Sequence, residues 1–254
     1  MKVVILAGGY GIKIGDDNEI KPKPMVEIGG HPLLWHLMKL YSSYGFNEFV
    51  IALGFKGELI KRYIVDYIAL QSDLTVNLKD GSVKIHDETK QDWIVNLVET
   101  GLNTKTGGRL KKLAPLLSDG TFMLTWGDNI SNVDLNKLLS FHRSHGKLAT
   151  VTAVHPTARY GYMLFDKNQV VDFCNYPQFN EGWMNGGFFV LEPGIFDYIE
   201  GDDTVWEFGP LEKLAKDKQL MAYKHDSFWY CVDTAREKYV LDTLWETDKA
   251  PWKK

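Results

Sequence analysis

Near the start of the chain, a glycine-rich loop is followed by two lysines on either side of a proline. The segment AGGYG contains Gly8, Gly9 and Gly11, and the segment KPKP contains Lys21 and Lys23. Glycines let backbone N–H groups approach an anion closely. Proline favours extended backbone in the residue before it, so both lysines are expected to be extended and to project to the same side. Two such ammonium groups repel unless an anion lies between them, which favours a phosphorylated ligand over a solvated basic loop.

The glycine loop matches neither of two common phosphate-binding fingerprints. The dinucleotide fingerprint requires a third glycine where this chain has Ile14, and the later apolar run FVIALG ends without an acidic residue for the ribose. The P-loop requires a Gly-Lys-Ser or Gly-Lys-Thr tripeptide, which the sequence lacks. The loop therefore requires a different interpretation.

Composition excludes several classes of protein. The chain has 254 residues with a formal net charge of -4, which argues against a broad basic surface for nucleic acid. No apolar run is long enough to span a membrane. The two cysteines, Cys174 and Cys231, form no disulfide framework, and we expect a cytoplasmic protein. His142 and His145 lack a third metal ligand nearby, so a solvated helix face is the preferred interpretation.

Alternation of apolar runs with amphipathic stretches predicts an α/β fold. A parallel sheet covered on both faces is expected, because the first strands are continuously apolar. The predicted strands are 3–7, 48–54, 122–128, 148–155, 162–166, 170–176 and 186–193. The predicted helices are 31–45, 133–146, 210–219 and 234–247, the second of them capped at Asp134 and ending near Gly146. The result is one domain, 1–254, with three α/β/α layers and a β-rich region in its second half.

Several motifs together resemble the sugar nucleotidylyltransferase family, most closely its glucose-1-phosphate cytidylyltransferase branch. The motifs are LAGG at 6–9, KPKPMVEIGGHPLLWHLMK at 21–39, TGGRLKK at 106–112, WGD at 126–128, NGGFFVLEP at 185–193, FWYCVDTAREK at 228–238 and KAPWK at 249–253. The resemblance extends from end to end. It implies a Rossmann-like nucleotidyltransferase fold with a mixed, mainly parallel sheet. It also implies a nucleotide-binding half at about 1–130 and an acceptor-binding half at about 131–254.

The family reaction is phosphoryl transfer, so the resemblance implies roles for individual residues. Mg²⁺ would be held by Asp128 and Asp233, for which a turn aspartate and a helix N-cap are the structural alternatives. Lys23 would face the α-phosphate, with Lys13 near the outer phosphates. The implied nucleotide-binding residues are Leu6, Ala7, Gly8, Gly9, Gly11, Lys21, Thr106, Gly107, Gly108 and Arg109. Asn185 and Gly186 would line the acceptor pocket.

The sequence departs from the family pattern at two places. Ile12 and Lys13 replace a threonine and an arginine, so a bidentate phosphate contact is lost. Asn175 and Tyr176 replace a glutamate that binds sugar hydroxyls and a lysine that pairs with the sugar phosphate; Arg159 is the nearest candidate replacement. Such charge-assisted hydrogen bonds contribute roughly 1.5–3 kcal/mol each.

These departures favour a CTP-dependent cytidylyltransferase whose phosphorylated small-molecule acceptor differs from plain glucose 1-phosphate. The alternatives are an ordinary glucose-1-phosphate cytidylyltransferase and a non-catalytic protein that binds a nucleotide or nucleotide sugar. Neither nucleic acid nor a membrane is an expected partner. Because family members commonly assemble, a homo-oligomer is expected; Trp245 and Trp252 would contribute to its interface or pack on their own chain.

Overall fold

A seven-stranded mixed β-sheet forms the centre of the molecule. The computed structural model describes residues 1–11, 20–86, 91–155, 162–174 and 182–253. The strands of the central sheet are β1 (Lys2–Leu6), β4 (Glu48–Leu53), β7 (Ile94–Glu99), β8 (Phe122–Trp126), β10 (Ala149–Val154), β13 (Met184–Leu191) and β14 (Leu220–His225). They lie in the order β14-β10-β13-β8-β1-β4-β7. β13 is antiparallel to both of its neighbours, and the other neighbouring strands are parallel.

Helices cover both faces of this sheet. They are α1 (Leu33–Ser42), α2 (Gly57–Val65), α3 (Tyr67–Leu70), α4 (Thr106–Lys112), α5 (Ala114–Leu117), α6 (Leu135–His145), α7 (Pro210–Lys216) and α8 (Ala235–Glu246). Short 3-10 helices occupy Lys23–Met25 and Pro193–Tyr198. None of the helices in the described ranges combines the length and the apolar character needed to cross a membrane.

Strand β1 shows how the sheet joins two apolar cores. Val3, Val4 and Ile5 are fully buried, and successive side chains of a strand point to opposite faces. Val3 and Ile5 pack in one core with side chains of α1 and α6, whereas Val4 packs in a second core with side chains of α4 and α5. Burial on both faces requires a continuously apolar strand. The predicted three-layer fold with a mainly parallel sheet is confirmed.

Local capping residues set the ends of α6 as the sequence predicts. The Asp134 carboxylate accepts a hydrogen bond from the N–H of Lys137 at 3.0 Å, and Gly146 ends the helix at a φ of +62°. The helix predicted over 31–45 is shorter, because His31–Pro32 pairs with Glu27–Ile28 before α1 begins.

Four two-stranded ribbons complete the described secondary structure. They pair β2 (Glu27–Ile28) with β3 (His31–Pro32), β5 (Asp73–Asn77) with β6 (Ser82–His86), β9 (Asn129–Ser131) with β15 (Trp229–Cys231), and β11 (Tyr162–Asp166) with β12 (Gln169–Cys174). The β5–β6 ribbon was not predicted from the sequence.

Two side chains for which the sequence suggested exposure are buried. His142 is 2% exposed, and its Nδ1 lies 2.8 Å from Thr150 Oγ1. A solvated helix face is therefore wrong for His142, because this side of α6 packs on β10. Trp252 is 3% exposed and stacks on Phe228 of its own chain, so it does not form an exposed interface.

Candidate active site

A cavity of about 470 Å³ lies where β1 and β8 end. The carboxyl ends of parallel strands are the usual place for ligands in open α/β sheets. Its wall includes residues that the sequence assigned to the site, namely Leu6, Ala7, Gly8, Gly9, Lys23, Thr106, Arg109 and Asp128. It also includes residues to which the sequence assigned no role in the site, namely Tyr10, Pro24, Leu102, Asn103, Thr104, Lys105, Trp126, Gly127, Val205 and Glu207.

Gly8 leaves room for the guanidinium of Arg109. A Cβ atom added to Gly8 would lie 2.2 Å from Arg109 Cζ, and one added to Gly54 would lie 2.5 Å from Arg109 Nη1. Real Cβ atoms do not approach other atoms so closely. The glycine at position 8 is therefore required by an internal arginine as well as by any ligand. Gly54 belongs to the same arrangement, which no sequence pattern indicated.

Arg109 itself is bonded to the protein. Its side chain is 4% exposed. Nη1 donates to Leu53 O at 3.0 Å, to Thr100 Oγ1 at 2.7 Å and to Gly101 O at 2.7 Å, and Nη2 donates to Leu102 O at 3.2 Å. These bonds fix the segment that continues along the cavity wall. The geometry thus assigns Arg109 to supporting the wall, with its charge directed towards backbone carbonyls.

Two loops meet across the cavity mouth. The hydroxyl of Tyr10 donates to Asn103 Oδ1 at 2.9 Å, which links the glycine loop to the segment after β7. Gly11 adopts a φ of +78°, and a Cβ atom there would lie 2.4 Å from the carbonyl oxygen of Lys21. Gly11 therefore allows the end of the glycine loop to lie against the segment that carries Lys21 and Lys23.

Glu207 provides a carboxylate on the cavity wall. Its Oε1 accepts a hydrogen bond from Trp126 Nε1 at 3.0 Å, and its Oε2 accepts one from Thr106 Oγ1 at 2.7 Å. Thr106 in turn accepts the N–H of Trp206 at 2.9 Å. The segment TVWEFGP carries no spacing signal that could have marked Glu207. A carboxylate held in this way can accept hydrogen bonds from hydroxyl or amino groups of a ligand.

Strand pairing brings Asp128 and Asp233 together. β9 follows Asp128, β15 precedes Asp233, and the two strands pair so that Asn129 lies opposite Cys231. The N–H of Val232 also donates to Asp128 O at 2.8 Å. Asp128 occupies the turn between β8 and β9, as expected for an aspartate after glycine. Asp233 is not the N-cap of α8; Thr234 is.

The side chain of Lys23 lies between the two carboxylates. Its Nζ is 2.9 Å from Asp128 Oδ2 and 2.7 Å from Asp233 Oδ1. Burial alone would lower the pKa of Lys23, but the charges and hydrogen bonds of both aspartates outweigh burial and raise this pKa above its usual range. Lys23 begins a 3-10 helix, so the prediction that it is extended is wrong. The charges that its ammonium contacts are the carboxylates of Asp128 and Asp233.

The carboxylates provide a donor set that suits Mg²⁺. Oxygen atoms of Asp128 and Asp233 and the sulfur of Cys231 all lie within 4.8 Å of one another. Within the described residues, Asp128 Oδ1 is buried and has no hydrogen-bond partner. Burial and the adjacent carboxylates raise the pKa of the Cys231 thiol, so it stays protonated and is a poor ligand. Two carboxylates without a thiolate favour a hard cation such as Mg²⁺.

Other predicted site residues lie away from the cavity or outside the described residues. Lys13, Arg159, Asn175 and Tyr176 fall in the second category. Gly107 and Gly108 of α4 approach Thr204 and Asp202, where added Cβ atoms would lie 2.8 and 2.6 Å from their backbone. Gly186 O accepts hydrogen bonds from Asn129 Nδ2 and Trp229 Nε1, and Asn185 Oδ1 accepts one from the N–H of Gly187. These residues support the strands around the site.

Comparison with known proteins identifies relatives that match the whole chain. A family model described as nucleotidyl transferase matches residues 2–234. The glucose-1-phosphate cytidylyltransferase of Salmonella typhi is 44% identical over 254 residues, which is 100% of this chain and 99% of that protein. A probable glucose-1-phosphate cytidylyltransferase of Bacillus subtilis (strain 168) is 39% identical, again with 100% and 99% covered.

A solved structure has a similar fold. HddC from Yersinia pseudotuberculosis superposes with a TM-score of 0.68 over 96% of this chain and 99% of that chain, at 22% sequence identity. At this identity, the similarity supports the fold alone.

Proposed function

The chain belongs to the nucleotidyl transferase family, and we propose that it transfers CMP from CTP to glucose 1-phosphate, giving CDP-glucose and pyrophosphate. The observation that carries this proposal is the arrangement of Lys23, Asp128 and Asp233 beside a cavity with a glycine-rich wall. It combines a cation for the phosphates with two carboxylates for a metal. The whole-length relatives supply the choice of nucleotide and acceptor.

The reaction requires two anions to approach each other. An oxygen of the sugar phosphate attacks the α-phosphorus of CTP, the bond from that phosphorus to the bridging oxygen breaks, and pyrophosphate leaves with the electron pair. Little covalent chemistry is required of the protein, so positioning and charge stabilisation dominate. The ammonium of Lys23 would stabilise negative charge on the α-phosphate. Backbone groups of Gly8 and Gly9 would bind the nucleotide.

Asp128 and Asp233 would hold Mg²⁺. The bound ion would neutralise phosphate charge and orient the phosphates for in-line displacement. Asp128 Oδ1 has no hydrogen-bond partner among the described residues, which supports this assignment because a buried carboxylate oxygen normally has one. The protein's own contribution is to hold the two half-buried carboxylates close together through the β9–β15 pairing.

We propose glucose 1-phosphate as the acceptor, in place of the different acceptor that the sequence favoured. That expectation depended on Asn175 and Tyr176, with Arg159 as a compensating cation, and these residues lie outside the described residues. The whole-length relatives are glucose-1-phosphate cytidylyltransferases, one of them described as probable. Glu207 also offers a carboxylate for ligand hydroxyls on the cavity wall, which weakens the argument from the missing glutamate.

The assignment of nucleotide contacts and acceptor contacts to different halves of the chain remains part of the proposal. Residues 1–130 would contribute most of the nucleotide contacts, and residues 131–254 would contribute the acceptor contacts within one domain. The halves would share the site, since Val205, Glu207 and Asp233 belong to the second half. The cytoplasm remains the predicted location.

The test is release of pyrophosphate from CTP with Mg²⁺ and glucose 1-phosphate. UTP, GTP and dTTP replace CTP in parallel reactions, and mannose 1-phosphate and inositol 1-phosphate replace the acceptor. We expect turnover with CTP and glucose 1-phosphate to exceed every other combination by at least about tenfold, the size of a single lost polar contact. Turnover with CTP and another acceptor, but not with glucose 1-phosphate, would support the sequence-based prediction of a different acceptor.

A non-catalytic binding protein is the second candidate. Its support is that Lys23 already pairs with both carboxylates and offsets one of their two negative charges, so the three side chains are held together without a metal. It predicts CTP binding by calorimetry with no pyrophosphate release from any acceptor.

A further inference from the structure

Tyr10 is an aromatic residue at the mouth of the cavity to which the proposed reaction gives no role. It follows Gly8 and Gly9 in the glycine loop and belongs to the cavity wall. Tyr10 is 61% exposed, so much of its surface is open to solvent. Aromatic side chains on a cavity wall provide contact area for the flat, apolar parts of a ligand. The ring of Tyr10 is therefore available to a ligand that enters the cavity.

A hydrogen bond fixes the position of this ring. The Tyr10 hydroxyl donates to Asn103 Oδ1 at 2.9 Å, although 93 positions separate the two residues. Asn103 lies between β7 and α4, next to Leu102 and Thr104, which also line the cavity. This segment is itself held, because Arg109 Nη2 donates to Leu102 O at 3.2 Å. A ring anchored in this way loses little conformational freedom when a ligand packs on it, so Tyr10 is preorganised for such a contact.

The proposed phosphate site determines where the remainder of a nucleotide would lie. Lys23 and Asp128 form the charged part of the cavity wall. A nucleotide is charged at its phosphates, whereas its base is a flat ring with two π-faces. The triphosphate would occupy the charged part, which leaves the apolar part of the wall to the base. The apolar side chains there include Leu6, Leu102, Trp126 and Val205, with Tyr10 at the mouth.

Stacking on an aromatic side chain is a common way for proteins to hold a base. Every base presents a π-face, and removal of the stacked side chain weakens binding by roughly 5–150-fold. Tyr10 belongs to the loop whose glycines are proposed to bind the nucleotide through their backbone. One turn of the chain would thus contact both the phosphates and the base.

We propose that the ring of Tyr10 stacks on the base of the bound nucleotide and that Asn103 holds the ring in place for this contact. The inference rests on the proposed function, because it takes the ligand to be a nucleoside triphosphate. It adds a side-chain contact to the base, which that function leaves unassigned. Stacking raises the affinity for CTP and UTP alike, so other groups would distinguish the two bases.

The test is calorimetric binding of CTP and of inorganic tripolyphosphate, which has no base, to the full chain with Mg²⁺ and no acceptor. Tyr10→Leu removes the ring but keeps an apolar side chain, whereas Tyr10→Phe keeps the ring and removes the hydrogen bond. We expect Tyr10→Leu to raise the dissociation constant of CTP at least about fivefold and to leave that of tripolyphosphate unchanged. Tyr10→Phe should show a smaller increase for CTP, because the ring remains.

Tyr239→Leu is the matched control. Tyr239 lies on α8, is 72% exposed and is not part of the cavity wall that the described residues form. Its replacement should leave both dissociation constants at their wild-type values. Unchanged CTP affinity in Tyr10→Leu, or an equal loss of affinity for CTP and tripolyphosphate, overturns the proposal.

Turnover provides a second measurement. A stacked base contributes equally to ground-state and transition-state binding, so Tyr10→Leu should raise KM for CTP and leave kcat unchanged. A fall in kcat without a change in KM would overturn the proposal. Because binding is measured without an acceptor, CTP binding that depends on Tyr10 in a chain that releases no pyrophosphate would refute the proposed reaction and support the stacking. Pyrophosphate release with an unaltered KM in Tyr10→Leu would do the reverse.

Discussion

The ammonium of Lys23 lies 2.7 Å from the carboxylate of Asp233, although 210 positions separate the two residues in the chain. The same ammonium lies 2.9 Å from Asp128. The lysine proposed to act on the α-phosphate thus occupies the space between the two carboxylates proposed to bind a metal. A divalent cation and the ammonium would compete for the same oxygen atoms.

Replacing Lys23 by methionine should therefore have opposite effects on metal binding and on turnover. A divalent cation and an ammonium about 4 Å apart repel by roughly 2–8 kcal/mol, depending on the dielectric surroundings. Without nucleotide, we expect Lys23→Met to bind Mn²⁺ at least about tenfold more tightly than the wild-type chain. Pyrophosphate release should fall about 100-fold or more, because charge on the α-phosphate is no longer stabilised. Calorimetry measures the first quantity and a coupled assay the second.

The control for this experiment is Lys213→Met. It also removes an ammonium paired with a carboxylate, since Lys213 Nζ lies 2.8 Å from Glu200, but it does so on the outer surface. Mn²⁺ affinity should match that of the wild-type chain. Weaker or unchanged Mn²⁺ binding in Lys23→Met would mean that the ammonium and the metal do not compete.

Asp128→Asn should reduce turnover without unfolding the protein. The amide keeps the shape of the carboxylate but loses the charge that a metal requires. We expect kcat to fall roughly 10²–10³-fold, the usual size of a lost electrostatic contribution at a transition state. The melting temperature should stay within a few degrees of the wild-type value, because Lys23 keeps its ion pair with Asp233.

Asp119→Asn is the matched control, since Asp119 is paired with Lys2 at 3.2 Å and is 76% exposed at its side chain. Both kcat and Mn²⁺ affinity should be unaffected. Equal Mn²⁺ binding by wild-type and Asp128→Asn chains would remove Asp128 from the proposed metal site.

The sequence predicted the strands better than it predicted the site. Continuous apolar runs such as VVIL identify buried strands directly, and the caps Asp134 and Gly146 set the ends of α6. The pairing of Asp128 with Asp233 depended on family resemblance, because no spacing rule connects distant positions. The internal role of Arg109 could not be predicted, since its carbonyl partners become adjacent only when β4 and β7 pair. The β5–β6 ribbon was missed because its polar and apolar residues alternate over only five positions per strand.

Acid should destabilise the fold through His36. This ring is 2% exposed; Nε2 lies 2.9 Å from Ile28 O, and Nδ1 accepts a hydrogen bond from Trp252 Nε1 at 3.2 Å. Burial lowers the pKa of His36 from 6.5 to about 4. Between these values the unfolded chain binds a proton that the folded chain excludes, so stability is lost as the pH falls from 6.5 towards 4. The loss amounts to roughly 3 kcal/mol at its limit.

Urea unfolding between pH 7.5 and pH 4.5 measures this effect. His36→Gln, whose amide can still donate to Ile28 and accept from Trp252, should show a flatter decline in the free energy of unfolding. His86→Gln, a change at the end of β6, should retain the wild-type decline. Parallel declines for wild-type and His36→Gln chains would show that other groups cause the acid sensitivity.

Gly8→Ala and Gly9→Ala, at adjacent positions of the loop, should have different effects on the free energy of unfolding. A Cβ atom at position 8 would lie 2.2 Å from the Arg109 guanidinium, whereas one at position 9 would meet none of the described residues within 4 Å. Overpacking of a rigid site costs about 1–3 kcal/mol, and Arg109 is held by its four hydrogen bonds and cannot easily move. We therefore expect Gly8→Ala to lower the free energy of unfolding by that amount and Gly9→Ala to leave it unchanged. Equal stabilities in urea unfolding would mean that the guanidinium is free to shift, and that the glycine at position 8 is required only by the ligand.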